Sequence, residues 1–172
     1  CCAGFIGSSA SEGWAVPFAD QSEDMWEKVL QVNLTSNFTL IKAAADVLAQ
    51  DGLGSVILVG SIYGALGPQP ALYDGLEIDN PAGYAVSKAA LTQLANWLST
   101  VMAPHVRVNA VTPGGVFRDQ DPVFVRRYED RTPLGRMASE QDIVGPVLFL
   151  ASDLAGYVTG HNLVVDGGFS AW

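Results

Sequence analysis

At 172 residues the chain has the length of one domain and can bury a core, and 49% hydrophobic against 16% charged residues excludes a disordered chain. A formal net charge of −9 argues against nucleic acid as a partner, because affinity for a phosphate backbone needs clustered Lys and Arg. No uninterrupted apolar run of about 18 residues occurs, so no membrane span is expected. The N-terminus lacks the basic and apolar regions of a signal peptide, so the expected location is cytoplasmic. Cys1 and Cys2 are adjacent and His105 and His161 stand alone, which gives neither a disulfide framework nor a metal spacing; no metal is expected. The sequence starts at Cys1 rather than at a methionine, and the expectation is a single partial domain, residues 1–172, from the later part of a longer polypeptide.

In chain order, Cys2-Ala3-Gly4 and the small and polar residues up to Pro17 read as the exit from a strand. Ser22 opens a helix with Glu23 and Asp24 in its first turn, where negative charge suits the helix dipole. Its apolar stripe is Trp26, Val29, Leu30, Leu34, Phe38, Ile41, Ala45 and Leu48. Asn33 lies in that stripe, and a buried amide needs partners: it is either a structural bridge or a group that holds water.

After the Asp51-Gly52 stop, the short β-branched run Ser55 to Ser61 reads as a strand buried on both faces. The glycines of residues 60–67 resemble a phosphate loop, yet Pro68 and Pro70 follow where such a loop must open into a helix, so that reading is rejected. Residues 62–80 are instead a long loop of the kind that carries function. Asn80 is the expected cap and Pro81 the first residue of a helix running to about Ala103, with Leu91, Leu94, Ala95, Leu98 and Met102 on one stripe. Tyr84 and Lys88 stand four apart on this helix, so the phenol and the ammonium project together, and an adjacent cation favours the phenolate. Val106 to Thr112 is the next strand, broken by Pro113-Gly114-Gly115, and residues 116–138 are a long irregular segment. Ser139 and Asp142 start a helix to Ala151 that contains Pro146, and Asn162 to Val165 is a last short strand before Asp166-Gly167-Gly168. In an open parallel sheet, ligands bind beyond the carboxyl ends of the strands, where Ser61 falls.

The order Cys2-Ala3-Gly4, Asn33, Ser61, Tyr84 with Lys88, Pro113-Gly114 and Val165-Asp166-Gly167-Gly168 resembles the short-chain dehydrogenase/reductase family over essentially the whole chain. The resemblance implies an α/β, doubly wound, Rossmann-like parallel sheet, truncated at its N-terminal half, and hydride transfer between NAD or NADP and an alcohol or carbonyl. It implies that Tyr84 is the general acid/base, that Lys88 lowers its pKa and holds the nicotinamide ribose, that Ser61 bonds the substrate oxygen, and that Asn33 holds a relay water. It further implies that Pro113, Gly114 and Gly115 line the nicotinamide pocket, that Ala3 and Gly4 pass beside the cofactor, and that the protein is a homo-oligomer, dimer or tetramer.

This sequence departs from the family in three ways: Cys2 stands where the family has Asn, the glycine-rich cofactor loop is missing, and the gap from Ser61 to Tyr84 is long. Tyr73 stands nearer the usual distance, but position 77 is Glu, so Tyr84 is preferred. The inserted loop and the Phe169 to Trp172 ending are similar to reductases of bacterial surface-sugar pathways. Arg118, Arg126, Arg127, Arg131 and Arg136 cluster within residues 116–138, which suits an anionic substrate such as a phosphorylated or nucleotide-linked sugar, or an acyl chain on an acidic carrier; a sugar derivative or a 3-oxoacyl group is the expected substrate. The bland reading of those arginines is a solvated helix with Arg126 paired to Asp130. A rival for the chain as a whole is an inactive assembly module.

Overall fold

The computed structural model describes residues 4–5, 11–76 and 78–172. Three parallel strands form its sheet in the order β1 (Gly54–Val59), β2 (Val106–Pro113), β3 (Asn162–Val165). Gly54 pairs with Val106 and Val59 with Val111, so the strand that leads to Ser61 and the strand that ends at Pro113 finish side by side.

Parallel neighbours need crossover connections, and helices supply them on both faces. The helical run before β1 is α1 (Glu23–Leu30), a π-helical turn (Gln31–Thr35) and α2 (Ser36–Ala49). Between β1 and β2 lie the short α3 (Pro70–Tyr73) and the long α4 (Ala82–Val101). Between β2 and β3 lie α5 (Pro122–Asp130) and α6 (Glu140–Ala151). Side chains of a strand alternate between faces, and the core follows. Val56, Leu58, Val106, Val108 and Ala110 join Ile41, Leu91, Ala95 and Leu98 under α2 and α4. Ile57, Val111, Leu163 and Val165 instead join Val147 and Leu150 under α6. This is the doubly wound arrangement, and each fully buried apolar side chain stabilises it by about 1.5–3 kcal/mol.

Three sequence expectations need correction, and one at α6 is met. The helix opened by Ser22 is not regular throughout: the π turn shifts the buried face to Val29, Asn33, Asn37 and Ile41, leaving Trp26 and Phe38 exposed. Pro81, not Asn80, is the N-cap of α4, and the side chain of Gln21 supplies the missing acceptor by taking the Ala82 N–H at 3.1 Å. Residues 62–80 include a 3-10 turn at Ile62–Gly64 and α3, and residues 116–138 contain α5. The capping interaction at α6 stands despite Asp for Glu: Asp142 accepts from the Ser139 backbone N–H and hydroxyl, both at 2.7 Å. Among the described residues no helix is long and apolar enough to cross a membrane.

A third apolar cluster lies beyond the carboxyl ends of the strands. Ile62 and Leu72 from the loop after β1 meet Phe124, Tyr128 and Met137 from the segment after β2, with Phe169 below them. It is the floor on which a cavity of about 620 Å³ opens.

Candidate active site

Ser61 follows β1 directly. Its Oγ accepts the Tyr63 N–H at 3.2 Å, which fixes the hydroxyl at the start of the 3-10 turn, and Gly64 lets that turn press on α4. A Cβ on Gly64 would lie 2.8 Å from the backbone of Lys88 and Ala89, so a side chain there would push Ser61 away from the helix. The Tyr84 phenol borders the same cavity as the Ser61 hydroxyl. Lys88 is buried one turn on; its Nζ donates to the Val59 carbonyl at 2.9 Å and lies 5.8 Å from the Tyr84 ring centroid. Ser61, Tyr84 and Lys88 line the same cavity as Pro113, Gly114 and Gly115.

The electrostatics differ from the expectation drawn from the Tyr84 and Lys88 spacing. Burial raises the Tyr84 pKa, and the Ser61 hydrogen bond opposes that only in part. The phenol is therefore a proton donor at neutral pH, and Ser61 is a neighbour that eases its ionisation.

Asn33 is fully buried within the π turn and away from the cavity lining. Its Nδ2 donates to the Phe5 carbonyl at 3.1 Å and to Ser87 Oγ at 3.0 Å, and its Oδ1 accepts from the Phe5 backbone N–H. Its own carbonyl, released from regular helical bonding by the π turn, accepts from Asn37 Nδ2 at 2.7 Å. The side chain thus bridges Phe5 to α4, and because Ser87 in turn donates to the Tyr84 carbonyl, that bridge steadies α4 where Tyr84 leaves it.

Gly114 continues the strand pairing by donating to the Val165 carbonyl, and the Gly115 N–H is taken by the Tyr128 hydroxyl at 2.6 Å. A Cβ on Gly115 would meet Met137 at 2.8 Å and Tyr128 at 2.9 Å, so this turn is kept bare for the α5 segment to close over it. Gly4 is exposed, and Ala3 lies outside the described residues.

The arginine cluster does not face the cavity as a group. Arg118 lines it and pairs with Glu140 at 2.9 Å. Arg136 grips Asp142 through two 2.8 Å bonds, and Arg131 lies over Phe169. Arg127 donates to the Leu72 and Asp74 carbonyls at 3.3 and 2.7 Å, tying α5 to the end of α3. Arg126 is exposed, and no ion pair joins it to Asp130 among the described residues. The sixth arginine, Arg107, caps α6 by donating to the Leu150 and Ser152 carbonyls.

Sequence reasoning missed Tyr63, whose phenol hydrogen-bonds that of Tyr73 on the cavity wall, and Gln21 as the cap of α4. The only available signal for the first was that both tyrosines sit in a long loop; for the second there was none.

The sequence profile of the family described as enoyl-(acyl carrier protein) reductase matches residues 2–170. A sorbose reductase of Schizosaccharomyces pombe is 33% identical over 167 residues, which cover 93% of this chain and 62% of the relative. An L-rhamnose 1-dehydrogenase (NAD(P)+) of a Sphingomonas species is 35% identical over 162 residues, covering 88% of this chain and 59% of the relative. Among solved structures, a short chain dehydrogenase from Leptospira borgpetersenii serovar Hardjo-bovis with bound NAD+ matches with a TM-score of 0.84 at 37% identity, covering 94% of this chain and 62% of the other. The chain spans about three fifths of the length of these proteins.

Proposed function

The chain belongs to the short-chain dehydrogenase/reductase family, and from that premise we propose that the protein interconverts an alcohol and a carbonyl compound with NAD(H) or NADP(H), on a small hydroxylated or sugar-like substrate. The observation that carries this reading is the convergence of Ser61, Tyr84 and Lys88 on one cavity at the carboxyl end of β1. The names of the sorbose reductase and the rhamnose dehydrogenase support the substrate class.

The donor set fits the nicotinamide end of a dinucleotide: a buried ammonium and a phenol suit ribose hydroxyls, and the backbone of Pro113, Gly114 and Gly115 borders the same space. Bound there, the cofactor supplies or accepts the hydride. The chain's own residues do the rest. Ser61 Oγ accepts from the Tyr63 N–H, which leaves its own proton to donate to the Tyr84 phenol oxygen or, with substrate bound, to the substrate oxygen. Tyr84 gives its phenolic proton to that oxygen as a carbonyl is reduced and takes it back in the reverse direction. Because burial favours the neutral phenol, reduction proceeds at neutral pH, and oxidation gains as pH rises toward the raised pKa. Lys88 places a cation under the phenol and anchors it to the Val59 carbonyl. Asn33 acts here by holding α4 in register rather than through its side chain at the substrate.

Self-association is part of the same proposal. Exposed Trp26 and Phe38 on the α1 to α2 run and Trp97 and Val101 on α4 support a dimer or tetramer formed through these helices.

The test is reduction of ketoses and oxidation of polyols with each nicotinamide cofactor. Tyr84→Phe keeps the ring and removes the proton, so kcat should fall about 10²–10⁴-fold. Turnover undiminished in that variant would remove Tyr84 from the chemistry.

A further inference from the structure

The loop after β1 brings polar groups to the cavity wall that the proton-transfer set does not use. Tyr63 and Tyr73 hydrogen-bond each other through their hydroxyls, and both border the cavity. Two phenols carry two protons, and one bond between them uses one; the other proton has no acceptor among the described residues. Asn80 borders the same cavity, is only 9% exposed, and has an amide nitrogen with no hydrogen-bond partner among the described residues. A buried donor left unbonded keeps its full desolvation penalty, so a ligand that bonds it is preferred to one that does not.

These groups share one cavity with the Ser61 and Tyr84 hydroxyls. The Tyr63 N–H bonds Ser61 Oγ, so the Tyr63 ring leaves the chain two residues from the hydroxyl that holds the substrate. Asp79 also lines the cavity, and burial together with its carboxylate keeps both phenols protonated. A carboxylate at this end repels an anionic group and accepts from a neutral hydroxyl. Arg118, the one arginine of its cluster on the cavity wall, is already matched by Glu140.

We propose that Tyr63, Tyr73 and Asn80, with Asp79 beside them, read hydroxyl groups beyond the reacting carbon and so select a neutral, polyhydroxylated substrate over a plain alcohol or a sugar acid. This rests on the oxidoreductase reading above and names the side chains that set its specificity. No covalent step is involved: the free phenolic proton and the amide donate to substrate hydroxyl oxygens, and Asp79 accepts from a substrate hydroxyl proton.

The experiment measures kcat/KM of the full protein for stereoisomeric hexitols, gluconate and 2-hexanol with its preferred nicotinamide. The best hexitol should exceed both comparators. Tyr73→Phe and Asn80→Ala should each lower the ratio of hexitol to 2-hexanol by about fivefold or more, the value of one hydrogen bond, with the change lying in KM. Asn80→Ala leaves both phenols in place and keeps the test open where Tyr73→Phe fails to fold. A ratio unchanged in the folded variants, or a preference for gluconate or 2-hexanol in the parent protein, overturns the inference while leaving the oxidoreductase reading intact. Failure of the parent protein to turn over any alcohol or ketone overturns that reading and this inference with it.

Discussion

The two walls of the cavity are built differently. The sheet-side wall, Ser61, Tyr84 and Lys88, hangs from β1 and α4, which meet through fully buried Leu58, Val108 and Leu91. The loop-side wall, residues 62–80 facing 116–138, has its own small cluster around Phe124 and Tyr128 but leaves Phe117, Val123 and Leu134 about half or more exposed. It is tied across chiefly by Arg127 to the Leu72 and Asp74 carbonyls, while the Tyr63 to Tyr73 bond joins two points of the first segment to each other. The difference teaches a division of labour: the groups that move a proton sit on elements that cannot shift without breaking the core, and the groups that read the rest of the substrate sit on chain that can change with little cost to the fold.

The comparison breaks first at the core. Leu58→Ala empties a fully buried site between the sheet and α4 and should lower stability by about 2–5 kcal/mol, read by urea unfolding. Val123→Ala on half-exposed α5 should cost no more than about 0.5 kcal/mol in the same measurement. Equal losses would mean that the two walls are equally integral. Asn33→Ala comes next: it strands the Phe5 backbone groups and removes a partner of Ser87, for an expected loss of about 1–3 kcal/mol and a lower kcat. Retained kcat at reduced stability would separate the bridge from the chemistry.

Smaller effects sharpen the loop side. Arg127→Gln unties α5 from α3 and should raise KM a few-fold while thermal unfolding moves little, because the bond lies at the surface. The smallest expected effect is acid sensitivity at Asp166. Burial works against its ionisation, yet hydrogen bonds from Ser170 and Gly168 outweigh it and hold the carboxyl below the usual range. A depressed folded-state pKa adds stability above the unfolded value of about 3.9, and this is lost as pH falls below it. Asp166→Asn should flatten that acid limb, measured by unfolding between neutral pH and about pH 3; an unchanged slope would assign the acid response to other carboxylates.

What could be read from the sequence was what local spacing decides. Tyr84 and Lys88 share a helix face because they are four apart, Ser61 falls just past a strand because a β-branched run precedes it, and Ser139 with Asp142 announces α6. What could not be read depends on contacts between distant residues. Gln21 caps a helix that starts 61 residues later, the π turn at Asn33 depends on bonds to Phe5 and Ser87, and Tyr63 and Tyr73 meet only because the loop folds back. The Tyr84 pKa belongs to the same class: the cation four residues on was legible, but the burial that dominates it was not. Nor was the dispersal of the arginines legible: Arg118 and Arg136 pair with carboxylates, Arg131 lies over a ring, and Arg127 bonds backbone carbonyls of another segment.

The Asn33 amide ties three separate stretches of chain at one point: Phe5, the turn between α1 and α2, and, through Ser87, the helix that carries Tyr84. Its grip on the Phe5 backbone N–H turns that single proton into a reporter. Solvent deuterium can replace it only when the amide lets go, so its exchange rate, followed residue by residue, counts how often the floor beneath Tyr84 comes apart. A ligand that steadies the cavity should slow this one exchange, even though it touches neither Phe5 nor Asn33.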